Sequence, residues 1–164
     1  MSNIKKRAIV IPIVLILMII LAMYLFDTPD IVGWNDFERE MKVEYTNIKS
    51  IGISHLTNPI IMIVFRLNKP FEKEDVEEIF LRTLDFLSNE ESYNSLQDHH
   101  KEKFTYSAGT IRITFKYVKK NASVQCDYES ATETGGNDFT FDSFRKWSIN
   151  YQGDYLGIYE LPQK

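Results

Sequence analysis

From Ala8 to Phe26 the chain runs 19 residues without a charge, AIVIPIVLILMIILAMYLF. A helix of that length spans about 28 Å at 1.5 Å per residue, close to the hydrocarbon thickness of a bilayer. Pro12 falls in its second turn, where a membrane helix tolerates proline. A cleaved signal peptide would have a shorter apolar stretch and small residues at a cut site. Here the run ends Leu21-Ala22-Met23-Tyr24, with no such pair and no cysteine just beyond for a lipid anchor. The expectation is an uncleaved transmembrane signal-anchor over 8–26.

Flanking charge sets its direction. Lys5, Lys6 and Arg7 precede the run, and Asp27 and Asp30 follow it. Positive charge stays on the cytoplasmic side, so residues 1–7 are expected as a short cytoplasmic tail and everything after Phe26 outside. Tyr24, Phe26 and Trp34 are then placed at the outer headgroup level. About 138 residues remain beyond the run, the size of one ordinary domain.

All 23 acidic residues follow Phe26, together with 16 of the 19 basic ones, so the outer part carries a net −7. Nucleic-acid binders show the opposite balance, and no nucleic-acid partner is expected. A single cysteine, Cys126, excludes a disulfide within the chain and leaves a Cys/His zinc site short of ligands. Its position on the apolar side of an alternating strand reads as a small buried hydrophobe.

Residues 27–47 read as a juxtamembrane connector, with Trp34, Phe37 and Met41 spaced along one face of a short helix. Asp36, Glu38 and Glu40 on that helix favour packing on the domain over lying on a membrane surface. Residues 48–164 read as an extracytoplasmic α+β domain. Lys49 to His55 alternates like a strand, and Ile60 to Leu67 (IIMIVFRL) is apolar enough for a central strand covered on both sides. Val76, Ile79, Phe80, Thr83, Leu84 and Leu87 trace the apolar stripe of a helix after Pro70, with acids in its first turns. Ser88 with Glu91 resembles a capping box opening a second helix through Tyr93, Leu96 and His100.

Further on the period changes from helical to alternating. Ile111, Ile113, Phe115 and Tyr117 alternate with Thr110, Arg112, Thr114 and Lys116. After Lys119-Lys120-Asn121, Ala122, Val124, Cys126 and Tyr128 alternate with polar residues, forming a hairpin with one wet face. Glu129 to Asp138 reads as a loop, Phe139 to Lys146 as strand or short helix, and residues 147–160 as a final hairpin. Short turns between neighbouring strands predict an antiparallel sheet with one or two helices packed on one face.

No motif nominates a catalytic residue, metal or cofactor. Asp98-His99-His100 shares three letters with a metal-dependent phosphoesterase family, whose further aspartate motifs are absent. Adjacent helix residues also point apart, so the pair reads as a solvated helix end. His55, at the end of a strand, is expected to be a hydrogen-bonded histidine rather than a ligand or pH sensor. Gly135-Gly136-Asn137 lacks the frame of a phosphate loop, and Asn121-Ala122-Ser123 matches a glycosylation sequon that depends on the cellular setting. The partner-facing candidates are Arg112, Lys116, Gln125 and Asp127, the polar side of the hairpin.

The sequence thus points to a membrane-tethered extracytoplasmic binding or assembly module, in contact with another envelope or membrane protein. A small anchored hydrolase using carboxylates with a histidine is the alternative, as is an immunity-type protective membrane protein.

Overall fold

The computed structural model describes residues 30–55, 59–120, 122–132 and 140–161. The expected anchor, its cytoplasmic tail, Asn121 and the Gly135-Gly136-Asn137 stretch lie outside them. Among the described residues no helix is long and apolar enough to cross a membrane.

The elements in chain order are α1 (Trp34–Glu44), β1 (Ile48–His55), β2 (Ile60–Leu67), α2 (Lys73–Ser88) and α3 (Glu90–Phe104). They continue with β3 (Thr110–Lys119), β4 (Ala122–Ala131), a 3-10 turn (Phe141–Ser143), β5 (Lys146–Tyr151) and β6 (Asp154–Glu160). Among the described residues the class is α+β, a six-stranded sheet in the order β1 to β6 with three helices.

The sheet is mixed, which corrects the antiparallel expectation. Four of its pairings are antiparallel, but β2 and β3 run parallel, from Ile60 opposite Thr110 to Arg66 opposite Lys116. The cause is the length of the α2–α3 excursion. The chain leaves β2 at Leu67, and two helices carry it back to the level of Ile60 before β3 begins. Parallel neighbours need a crossover of this kind, whereas a hairpin turn enforces reversal.

Alternation sorts the strands into two faces. Ile61, Ile63 and Phe65 of β2, Ile111, Ile113 and Phe115 of β3, and Cys126 and Tyr128 of β4 are all buried beneath the helices. Phe80 of α2 stacks on Tyr128 at 3.9 Å between ring centroids and meets Trp147 of β5 edge-on at 5.5 Å. Phe65 stacks on Phe115 at 5.0 Å. Ring pairs of this geometry add about 0.5–1.5 kcal/mol each beyond their buried area.

The opposite face carries Ser50 and Gly52, Met62, Val64 and Arg66, then Arg112, Thr114 and Lys116, aligned by the register. No described helix packs on it. Among the described residues, then, helices cover only one face of β2, although Val64 on its other face is buried too. Ile60 and Met62 are half-buried there.

The segment read as a connector supplies core. Trp34 is 2% exposed, and Phe37 and Met41 are buried with it. Phe37 stacks on Phe86 of α2 at 4.5 Å, and Trp34 meets the same ring at 5.9 Å. Packing on the domain is thus observed, and Trp34 is not at a headgroup surface. Gly33 caps α1 with φ +74°, a left-handed conformation that a residue without Cβ adopts freely.

The helix junction also differs from its reading. Ser88 ends α2, its hydroxyl donating to the Asp85 carbonyl at 2.8 Å. Asn89 caps α3 instead, its side-chain oxygen accepting from Ser92 N at 3.0 Å. A reciprocal capping box does exist one helix earlier, between Glu72 and Asp75 at the start of α2.

Candidate functional site

The four residues singled out from the hairpin all fall on the bare face of the sheet. Across β3 and β4 the register sets Arg112 opposite Glu129, Thr114 opposite Asp127 and Lys116 opposite Gln125. Each rung has its own chemistry. Arg112 and Glu129 form an ion pair and hydrogen bond through the guanidinium and a carboxylate oxygen. Asp127 is held on both oxygens, by Thr114 Oγ1 and by Gln125 Nε2, each at 2.6 Å. Lys116 makes no ion pair among the described residues.

Two members of this network were not legible as site residues. Glu129 was read into a loop, yet β4 continues to Ala131 and keeps its alternation, which returns Glu129 to the bare face. The signal was present, since Glu129 stands two residues after Asp127. Thr114 is 1% exposed although its face has no helix over it. Its hydroxyl is turned to Asp127, so the centre of the face is a closed polar lattice rather than a row of free side chains.

Behind this lattice the same strand is dry. Cys126 is 0% exposed, and burial, reinforced by the Asp127 charge, pushes its thiol up to about 12. A thiol so placed is neither nucleophile nor metal ligand at neutral pH. Burial likewise raises the Tyr128 hydroxyl, with Cys126 adding to the effect.

The histidines separate. His100 is fully buried, 4.9 Å from the Phe104 ring and 5.8 Å from Tyr106, which corrects the reading of a solvated helix end. Burial lowers its pKa, and the charges of His99 and Lys103 lower it further. His99 turns the other way, its Nδ1 3.9 Å from Glu102. It lies in an open groove of about 620 Å³ between the start of the described chain and α3, where Asp30, Glu91, Asp98 and Glu102 also gather. Asp98 and Glu102 keep 71% and 78% of their side-chain surface, so neither is set apart by desolvation as a paired acid and base would be. Among the described residues no three His, Cys, Asp or Glu side chains converge as metal ligands do. His55 closes β1 with its Cα opposite Ile61.

Comparison of the chain with protein-family models, with curated proteins and with solved structures finds no match.

Proposed function

We propose that this chain is a membrane-tethered, extracytoplasmic binding or assembly module that meets its partner through the bare face of its sheet. One observation carries the reading. Among the described residues, six strands are covered by three helices on one side and by no element on the other. The polar lattice of Arg112, Glu129, Thr114, Asp127 and Gln125 gives that face fixed donors and acceptors, which favour recognition over aggregation. The tether itself rests on the uncharged run Ala8 to Phe26 and its flanking charges.

A photo-crosslinking residue placed at Gln125 in the full chain tests the reading against one placed at Glu78 on α2. Discrete membrane-protein adducts from Gln125 and none from Glu78 are expected. Adducts from the helix layer alone would move the interface there and end the proposal.

The acidic groove beside α3 favours a second reading, a small hydrolase that uses carboxylates with His99. Loss of a measured hydrolytic activity in both His99→Ala and Glu102→Gln would establish it. Activity untouched by both would remove it.

A further inference from the structure

We infer that two copies of this chain join edge to edge through β1, which pairs antiparallel with β1 of the second copy and merges both sheets into one. The inference goes beyond the proposed function, since it uses a sheet edge and leaves the bare face of each copy open. It starts from a difference between the two edges. β1 and β6 end the strand order, so each directs every second N–H and C=O away from the sheet. Folded proteins blunt such edges with charges, prolines, bulges or a covering segment.

The β6 edge is blunted. Its pairing with β5 slips between Ile149 and Asn150, Gly157 stands at φ +141°, and Asp154 and Glu160 close the two ends. Pairing it over its full length with a second β6 would set Asp154 against Glu160, and like charges directly opposite destabilise a strand pair. Its exposed Tyr155, Leu156 and Ile158 therefore flank an edge poorly made for a further strand.

Nothing comparable protects β1. Its irregularity is confined to Ile48 to Ser50, and from Ser50 to His55 the register with β2 is unbroken. Those residues, SIGISH, include no proline, lysine, arginine or carboxylate. They make an edge about 20 Å long. Among the described residues no backbone hydrogen bond reaches it besides those of the β1–β2 ladder.

The occupant is a second copy because the strand complements itself. Centred on Gly52, an antiparallel pair sets Ile51 against Ile53 of the second copy on the helix side, and Ser50 against Ser54 on the bare side. A slip of one residue would turn the isoleucines to the wrong face. Ile51 is buried, but Ile53 is only half-buried at the open edge, so the pairing covers apolar surface that a single copy leaves wet. Gly52 falls on the two-fold axis, where an added Cβ would meet nothing within 4 Å, so the centre of the joint is unobstructed. The axis stands normal to the sheet. Both Asp30 residues, whose carbonyls accept from Ser95 of α3, then lie on the helix side, as two copies tethered in one membrane require.

The test is disulfide trapping with the full-length protein, in membranes and in mild detergent. Cys126 is 0% exposed, so an introduced thiol is the one that reports. Gly52→Cys sets two thiols opposite each other with Cα atoms about 4.5–5.5 Å apart, within disulfide reach. Mild oxidation should link this variant as a dimer, at least ~10-fold faster than Ile158→Cys on β6. Added to Gly52→Cys, the pair Ser50→Glu and Ser54→Glu should slow linking at least ~10-fold, because the register opposes like charges. Ser50→Lys with Ser54→Glu should bring the rate back to within ~3-fold, because the same register then opposes unlike charges. Both charged variants alter the same two positions, so loss of fold does not explain a contrast between them. A parallel joint would set each position against itself and give no such recovery. No linked dimer from Gly52→Cys, linking through Ile158→Cys alone, linkage of Gly52→Cys to other proteins in place of itself, or equal rates in the two charged variants would each overturn the inference.

Discussion

At the residue scale, His100 shows how burial changes a side chain's chemistry. Its imidazole lies among Phe104 and Tyr106, and its pKa in the folded protein is below the ordinary value of about 6.5. The unfolded chain therefore takes up this proton first as pH falls. The sign follows: the folded state is unaffected well above about pH 6.5 and loses stability as acid is added below it. Urea midpoints measured near pH 7.5 and 5.5 should show that loss, and His100→Phe should reduce it by removing the titrating group while keeping an aromatic ring. An unchanged difference would mean that other groups carry the acid sensitivity. Cys126 is the complementary case, because its sequence reading as a buried hydrophobe agrees with the structure. With its pKa raised to about 12 and no exposed surface, it should react with a thiol reagent ~100-fold or more slowly in the native protein than in urea. The alternation of β4 was enough to foresee this. Nothing local could foretell His100, because the same helix turn offers one histidine to the core and its neighbour to a groove. Which faces which depends on how α3 sits on the sheet.

Elements were legible where one periodicity governs them. The α2 stripe from Val76 to Leu87 and the β3 alternation from Ile111 to Tyr117 are buried as their spacing predicts. Boundaries and pairings were less so, because they are decided by groups far apart in sequence. The parallel β2–β3 pairing is set by the path of α2 and α3, and no residue within either strand announces it. The α2–α3 junction is a smaller instance. Ser88 and Asn89 are both good capping residues, and only the geometry assigns the cap to Asn89. Asn89→Ala should therefore destabilise the domain by about 1 kcal/mol, while Ser88→Ala, on the last turn of α2, should cost less than about 0.5 kcal/mol. Chemical denaturation of the two variants decides between them, and the reverse order would restore the Ser88 cap. The site followed the same division. Alternation alone puts the candidates Arg112, Lys116, Gln125 and Asp127 on one face, whereas only the parallel register shows that Arg66 of β2 shares it.

For the whole molecule, the residues just after the uncharged run do more than connect. Trp34 packs on Phe37 and Phe86, so α1 is fastened to the helix layer and the described fold begins within a few residues of Asp30. Trp34→Ala should destabilise the full chain in mild detergent by about 3–5 kcal/mol, as loss of a buried tryptophan does. A residue resting at a headgroup surface would cost the fold almost nothing. The orientation that the flanking charges direct can be tested in intact cells, because Cys126 is 0% exposed and should stay silent to thiol labels. A cysteine replacing Lys120, at the β3–β4 turn, should take up an impermeant reagent, and one replacing Lys6 should not. Labelling at Lys6 alone would put the sheet in the cytoplasm and set the charge rule aside. Labelling at neither in intact cells, but at both after permeabilisation, would mean that the chain does not cross the membrane.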